Sequence, residues 1–248
     1  MFVLIVLLAV PLTGNTRITS FTAAKRLLEQ VYRDRNVTFY CGCRYRGRRV
    51  DRDACSYRPR NWANPRAERI EWEHVVPASA FGRSFREWRD GDARCERKRK
   101  RTGGKKKKRK RRYRGRNCAR RNPEFARMEA DMHNLVPAIG ELNQYRGSLE
   151  MGEVSAEARR FGDCDVEAGV LTFEPPPDVR GDIARIYQYM DLTYPKRGIV
   201  SNKRRKLYEA WSRTDPVDRW ECERNRRITT LQGNGNRIVT VACLKAKL

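Results

Sequence analysis

Residues 96–116 are the part of this 248-residue chain that most restricts how it can fold. They hold fifteen lysines and arginines against one glutamate, which is +14 of the formal net charge of +25. Side chains of like charge repel one another and cannot pack into an apolar core. We therefore expect this stretch to be a solvated, disordered insertion, and the core to be built from the residues on either side of it.

The rest of the chain is basic as well, with a net charge of about +11. Such an excess predicts a polyanionic partner: nucleic acid, an anionic membrane or an acidic polysaccharide. Charge that serves only solubility is the simpler alternative. Nuclear localisation is another common role of a basic run, but the first residues of the chain argue against it.

Those first residues are typical of a secretory leader. Residues 2–12 form a short apolar run that is too short to span a bilayer, and small and polar residues follow it. No Lys or Arg precedes the run, so the usual positive segment is missing, and we place the cleavage point near Gly14. We expect residues 1–14 to be removed and the mature chain, without a membrane span, to be secreted or periplasmic.

The cysteines support export. In an exported chain an even number of cysteines predicts a disulfide framework, although the sequence does not choose among the possible pairings. A zinc site is the alternative, but Cys41 and Cys43 are too close for the usual ligand spacing and no second close Cys/His pair exists. Cys95 and Cys118 flank the basic stretch and are expected to tie its ends together. The chain has eight cysteines: Cys41, Cys43, Cys55, Cys95, Cys118, Cys164, Cys222 and Cys243.

Hydrophobic periodicity predicts helices and strands in a single α+β domain over residues 20–248, with no repeat and no clear linker. One helix face is predicted to run from Phe125 to Val136, until Pro137 interrupts it. A second helical piece follows, on which Asn143 and Arg146 project together. Further helices are predicted to begin at Ser20, Asp178, Ser201 and Pro216, the last one closed by Gly233, and strands to cover residues 37–41, 70–76 and 170–173.

The chain has only two histidines, and both lie among carboxylates. His74 follows Glu71 and Glu73 in the predicted strand, and His133 follows Glu129 and Asp131. Neighbouring carboxylates would orient an imidazole and raise its basicity. A structural role in the core is the alternative for either ring. Adjacent side chains of a strand point to opposite faces, so Glu73 and His74 can serve one site only if the strand bends or ends there.

A basic, exported chain with such a histidine is suited to phosphodiester hydrolysis. A histidine near its ordinary pKa can deprotonate the attacking water at neutral pH. Glu73 and an amide such as Asn143 could hold Mg²⁺, which prefers oxygen ligands and keeps several waters. An arginine directed at the phosphate would complete the site.

Several motifs occur in a characteristic order between Phe21 and Cys243: FYCGC at 39–43, IEWEHVVPA at 70–78, MEADMHNLVP at 128–137, GELN at 140–143, RGDIAR at 180–185 and WECER at 220–224. In this combination the chain resembles the bacterial endonuclease I family, which are periplasmic or secreted non-specific nucleases of the ββα-metal (His-Me finger) class. The resemblance implies one mixed α+β domain with a ββα-metal core, several surrounding helices and disulfides.

The resemblance also assigns roles to individual residues. It implies that His74 is the general base, that Glu73 and Asn143 are the ligands of one Mg²⁺ per active site, and that Arg116 contacts the phosphate. It implies that the strand around residue 73 and the helix after Pro137 face each other across the metal. Four polar residues of the motif at 128–137 become supporting residues: Glu129, Asp131, His133 and Asn134.

The substrate implied by the resemblance is DNA, and we expect RNA to be cut as well. The enzyme would contact phosphates without reading sequence and would leave 5′-phosphate ends. No recognition helix or other base-reading motif is evident in the sequence. We expect the chain to act as a monomer.

The loop that carries Arg116 departs from the family pattern. Glu87 stands where the family usually has a cysteine, and we expect Cys95 to take over the pairing with Cys118. The basic stretch is an insertion into the same loop. Two alternatives remain open: a secreted polycation that binds nucleic acid or another polyanion without catalysis, and a nuclease inactivated by the altered loop.

Overall fold

The structure, a computed structural model, describes residues 14–15, 17–55, 57–97, 111–155 and 158–248. The predicted leader, apart from Gly14, and residues 98–110 of the basic stretch lie outside the described residues. The described residues combine helices and strands in one domain.

Ten α-helices are found in the described residues. They are α1 Phe21–Val31, α2 Ala78–Gly82, α3 Arg86–Arg89, α4 Arg116–Ala119, α5 Pro123–Glu129, α6 Gly140–Arg146, α7 Arg180–Thr193, α8 Asn202–Thr214, α9 Arg219–Gln232 and α10 Arg237–Ala246.

The strands of the described residues are short. They are β1 Tyr45–Arg46, β2 Arg49–Val50, β3 Ile70–His74, β4 Glu96–Arg97, β5 Arg111–Arg112, β6 Leu135–Ile139, β7 Glu150–Met151, β8 Arg160–Asp163, β9 Glu167–Ala168 and β10 Thr172–Glu174. The pairs β1–β2, β3–β6 and β4–β5 are antiparallel, and β10 lies between a parallel β7 and an antiparallel β9.

The antiparallel pair β3–β6, followed directly by α6, lies at the centre of the fold. Its register opposes Ile70 to Ile139 and His74 to Leu135. Every residue of β6 is buried, as expected for a strand enclosed by helices. Pro137 cannot donate a backbone hydrogen bond, but its carbonyl accepts one from the Phe39 backbone N–H at 2.8 Å.

The core has two main clusters of apolar side chains. The larger one surrounds β3, β6, α2, α5, α7 and α8. The second packs Leu28 and Val31 of α1 against Leu135 and Ile228. Each fully buried side chain of this size stabilises the fold by about 1.5–3 kcal/mol. The second cluster therefore fixes α1 beside the end of β3.

All eight cysteines form disulfides, which confirms the predicted framework over the zinc alternative. The bridge between Cys95 and Cys118 encloses β4, β5 and the basic stretch, as expected from the displaced cysteine. Closing a loop of this length stabilises the fold by about 3 kcal/mol in the chain-entropy account. The other pairs are Cys41–Cys164, Cys43–Cys55 and Cys222–Cys243.

The predicted strand at residues 37–41 is wrong. Val37 forms only an isolated bridge with Arg44, and a tight loop follows. The backbone N–H of Thr38 donates to the carbonyl of Cys43 at 2.8 Å, and Gly42 has the left-handed φ of +63°. The β-branched and aromatic residues here are held by a closed turn and disulfides instead of by a sheet.

The helix predicted to continue as far as Val136 is also wrong. The helix α5 starts at Pro123 as expected, with the Asn122 side chain as its N-cap, but it ends at Glu129. Asp131 then accepts from the His133 backbone N–H at 3.0 Å and begins a short 3-10 turn. Pairing with β3 makes residues 135–139 a strand, so tertiary contacts override the helical spacing.

The C-terminal helices differ in detail from the prediction. Ser20 and Ser201 cap their helices as predicted. Asp178 does not cap α7; instead, Asp215 accepts from the Gly181 backbone N–H at 2.7 Å. The predicted last helix begins at Arg219 and is followed by a further helix, α10, which the sequence prediction missed.

Candidate active site

The side chains of Asn134 and Arg146 fix the end of strand β3, where His74 lies. The Asn134 side chain accepts from the Val76 backbone N–H at 2.7 Å and donates to the Val76 carbonyl at 3.0 Å. The buried guanidinium of Arg146 donates to the carbonyl of His74 at 2.7 Å and also to that of Val75. The strand ends at His74, as the sequence argument required if Glu73 and His74 were to serve one site.

The imidazole of His74 is 8 % exposed and is held from two sides. Its Nε2 is 2.8 Å from the backbone carbonyl of Glu129. A carbonyl oxygen can only accept, so Nε2 carries the proton and Nδ1 is the unprotonated nitrogen. The ring also packs on Phe21, the first residue of α1, at 4.8 Å between centroids. Among the described residues, Nδ1 has no hydrogen-bond partner.

The surroundings of His74 keep the ring neutral. The expected rise in basicity is wrong: burial lowers the pKa of His74 to about 4, and the positive charge of Arg116 acts in the same direction. The ring is therefore unprotonated at neutral pH, with a fixed tautomer. A ring in this state can accept a proton at Nδ1.

Arg116 lies beside His74 at the start of α4. Its guanidinium forms an ion pair with Glu129 and packs over the Phe21 ring at 5.6 Å. Arg120, one turn later, binds the same carboxylate at 2.7 Å. The two arginines lower the pKa of Glu129 despite its burial, which alone would raise it. The Nη2 atom of Arg116 has no hydrogen-bond partner among the described residues, so one of its donors is unused.

Glu73 is 1 % exposed, so its side chain is buried in the protein interior. Its Oε1 accepts from the Tyr40 hydroxyl at 3.0 Å and is 3.4 Å from Nη1 of Arg146. Its Oε2 is buried and has no hydrogen-bond partner among the described residues. Burial raises the pKa of Glu73, although the nearby Arg146 acts against this.

Asn143 is on α6, the helix that follows β6. Its Nδ2 donates to Oε2 of Glu71 at 3.0 Å. Arg66 and Arg69 also bind this carboxylate. Gly140, at the start of α6, allows the close approach, because a Cβ there would lie 2.8 Å from the Arg66 carbonyl and 2.9 Å from Oε1 of Glu71.

One cleft of about 930 Å³ joins most of these groups. It brings together three of the four residues predicted for catalysis and metal binding: His74, Arg116 and Asn143. Glu73 is not among the lining residues but contacts one of them, Arg146. The lining residues that were not assigned a role from the sequence include Phe21, Glu71 and Arg146.

The sequence indicated these three residues to different degrees. Glu71 could have been found from its two-residue spacing from Glu73, which puts both carboxylates on one strand face. Arg146 was placed on the same helix face as Asn143 but given no role. For Phe21, 53 residues away from His74, no signal in the sequence pointed to the contact.

The other predicted supporting residues lie on the core side. Asp131 accepts from the hydroxyls of Tyr189 at 2.8 Å and Tyr194 at 2.6 Å. The Nε2 of His133 is 2.9 Å from the Asn234 carbonyl, and its ring packs on Tyr189. Burial lowers the pKa of His133 to about 4. These contacts join β6 to α7 and the end of α9.

The metal-binding capacity of the site depends on few protein ligands. In the part of the chain that the structure describes, no three His, Cys, Asp or Glu side chains are grouped so that they could hold a metal ion. A magnesium ion, however, can take one or two protein oxygens and keep several waters. The buried Oε2 of Glu73 lacks a hydrogen-bond donor among the described residues. The residues present therefore fit a hydrated divalent cation.

A neutral histidine, an arginine and buried carboxylates beside a basic cleft are groups suited to the hydrolysis of phosphate esters. The endonuclease I family model matches residues 19–243. The chain belongs to the endonuclease I family and is an endonuclease.

The similarity extends over nearly the whole of each relative. Two proteins named extracellular deoxyribonuclease from Aeromonas hydrophila are both 42 % identical; the alignments cover 91 % and 98 % of this chain and 90 % and 96 % of the relatives. A protein named periplasmic deoxyribonuclease from the same organism is 41 % identical, over 97 % of this chain and 93 % of the relative. The resemblance noted from the motifs is thus confirmed.

Proposed function

We propose that this endonuclease is exported and cuts internal phosphodiester bonds of DNA, and of RNA as well, without sequence preference. His74 carries the proposal, because its ring is held neutral at the edge of an arginine-lined cleft. The names of the Aeromonas relatives support DNA as the substrate and the periplasm or the extracellular space as the location. Four disulfides are consistent with an oxidising compartment.

In this mechanism His74 acts as the general base. The hydrogen bond from Nε2 to the Glu129 carbonyl keeps Nδ1 unprotonated, and Nδ1 accepts a proton from the attacking water. Phe21 covers the other side of the ring and keeps bulk water away from it. General-base catalysis of this kind contributes about 10²–10⁴-fold to the rate.

Arg116 is the phosphate-binding residue of the proposal. Glu129 holds its Nε, and the guanidinium lines the cleft, where it would contact a phosphate oxygen. Charge grows on the phosphate as water attacks, so a donor fixed in advance stabilises the transition state more than the ground state.

Glu73 and Asn143 are the residues that would hold one Mg²⁺, through the unpartnered Oε2 and the side-chain carbonyl. The ion would stabilise charge on the phosphate and the leaving oxygen. Arg146 connects α6 to β3, because it lies on the same helix as Asn143 and contacts the Glu73 carboxylate. The antiparallel pair β3–β6, followed directly by α6, supports the ββα-metal core that the motifs imply.

A plasmid digestion assay tests the proposal. We expect His74→Ala and Glu73→Ala each to abolish most of the cutting by wild-type enzyme, and EDTA to stop it and excess Mg²⁺ to restore it. His133→Gln is the matched control, since it changes the other histidine. Full activity of either alanine variant, or of the wild type in chelator, would refute the mechanism. End-labelling of the products should find 5′-phosphates.

A further inference from the structure

Among the described residues, Glu71 is the one carboxylate that both lines the cleft and contacts a proposed ligand of the cation. It is two residues before Glu73 on β3, and its side chain is 19 % exposed. Its Oε2 accepts from Nδ2 of Asn143 at 3.0 Å. Neither the family motifs nor the proposed mechanism gives it a task.

The carboxylate of Glu71 is fixed in place. The Nε of Arg66 donates to Oε1 at 3.0 Å and its Nη2 donates to Oε2, which is the two-point geometry of a guanidinium–carboxylate pair. A nitrogen of Arg69 is 3.2 Å from Oε1. A carboxylate held by two arginines is an acceptor whose position does not change when a ligand binds.

A fixed acceptor decides which way an amide points. The side chain of asparagine has an oxygen on one branch and an NH₂ group on the other, and a carboxylate can accept only from the NH₂ group. The contact with Glu71 therefore directs the carbonyl oxygen of Asn143 away from Glu71. A hard cation binds that oxygen and not the nitrogen.

We propose that Glu71 is a positioning residue that holds the Asn143 amide in the orientation that offers its oxygen to the cation. This inference rests on the proposed role of Asn143 as a ligand. It assigns Arg66 and Arg69 to the support of Glu71 rather than to phosphate binding. Without Glu71, the amide can turn over and offer NH₂ to the cation.

Binding of Mn²⁺ tests the inference without an activity assay. The full-length, disulfide-bonded protein is freed of metal with EDTA, and free Mn²⁺ is followed by its electron paramagnetic resonance signal. We expect Glu71→Ala to raise the dissociation constant for Mn²⁺ about tenfold, the ratio that a hydrogen bond to a charged group supplies. Glu71→Asp keeps the charge but withdraws the acceptor, and it should weaken binding in the same direction.

Second-site changes separate orientation from charge. In the Glu71→Ala background, Asn143→Asp offers an oxygen in either orientation and should restore the affinity to within about threefold of wild type. Gln144→Glu in the same background returns a negative charge one residue away without adding a ligand, and the affinity should stay low. Gln144 is exposed, so the change itself is tolerated.

Three results would overturn the inference. In the first, both Glu71 variants bind Mn²⁺ as wild type does. In the second, Gln144→Glu restores binding as well as Asn143→Asp does. In the third, Asn143→Ala leaves binding unchanged, which would remove the ligand role itself and so also contradict the proposed mechanism. Thermal unfolding followed by circular dichroism checks each fold; if Glu71→Ala does not fold, Glu71→Asp decides the question.

The kinetic counterpart should agree with the binding result. The Mg²⁺ concentration for half-maximal cutting should rise in Glu71→Ala, while the rate at saturating Mg²⁺ stays close to that of wild type. A purely structural loss would lower the rate at every Mg²⁺ concentration.

Discussion

The two histidines have nearly the same chemistry but lie in different surroundings. His74 and His133 are 8 % and 1 % exposed. Each ring places Nε2 within 2.9 Å of a backbone carbonyl and packs on an aromatic side chain. Burial lowers the pKa of both to about 4. Neither the hydrogen bond nor the pKa therefore distinguishes a reactive histidine from a structural one.

What separates the two rings is access. His74 lines the cleft beside Arg116, whereas Nδ1 of His133 is buried and without a hydrogen-bond partner among the described residues. The carboxylates that precede the two histidines also differ in use. Glu129 orients an arginine at the cleft, and Asp131 accepts hydrogen bonds from two tyrosines of α7 and its C-terminal end. In the motif around His133, Glu129 thus serves the site, whereas Asp131 and His133 stabilise the core.

The largest effect is expected at the cleft, where Arg116 and Arg120 both bind Glu129. Arg116→Ala should lower kcat by about 10²–10³-fold, because it removes a donor directed at the charge that forms in the transition state. Arg120→Ala is the matched control and should keep kcat within about threefold, since Arg120 does not line the cleft. Steady-state cutting of an oligonucleotide measures both.

Equal losses in the two arginine variants would contradict this division of roles. They would mean that the Glu129 ion pairs matter only through the position of the His74 ring. Thermal unfolding of both variants should show similar midpoints, because each loses one ion pair to the same carboxylate.

The next prediction concerns stability on the core side. The pKa of His133 is about 4 in the folded protein and about 6.5 when unfolded, so the unfolded chain binds more protons between these values. The contribution of neutral His133 to the free energy of unfolding is complete above pH 6.5. It is lost as the pH falls towards 4, by at most about 3 kcal/mol. His133→Gln should lose correspondingly less stability over this range.

Urea unfolding at pH 7 and pH 4.5 measures this difference. His74→Gln provides the comparison, because burial lowers the pKa of its ring to about 4 as well. Equal pKa shifts contribute equally to the pH dependence of stability, so we expect a change of similar size. A pH dependence of His133→Gln equal to that of wild type would contradict the prediction.

Local features of the fold were predictable where a short-range rule acts alone. The Ser20 and Ser201 caps, Pro123 at a helix start, Gly233 at a helix end and the bridge from Cys95 to Cys118 were all expected from neighbouring residues. The prediction failed where distant contacts decide the structure. Residues 135–136 have helical spacing yet form a strand, because β3 supplies the partner for β6.

The candidate site divides in the same way. His74, Arg116 and Asn143 were selected from the sequence, and the structure brings them to one cleft. The burial of Glu73 beside Arg146 was not expected. This contact depends on how α6, which carries Arg146, packs on β3, which carries Glu73. Phe21 was missed for a similar reason: apolar packing of α1 against α9 brings it to His74, and no motif records that packing.

The smallest effect is expected from the basic stretch. A short Gly-Ser linker in place of residues 98–110 keeps the Cys95–Cys118 bridge and removes ten positive charges. If the stretch contacts phosphates, its loss should reduce the salt dependence of DNA binding and weaken binding about tenfold near physiological salt. Cutting at low salt should stay within about threefold of wild type, because His74, Arg116 and Asn143 lie outside residues 98–110. Fluorescence anisotropy of a labelled duplex in a His74→Ala background measures binding.

Loss of cutting at low salt would show that the stretch belongs to the site. An unchanged salt dependence of binding would show that the cleft alone holds the substrate.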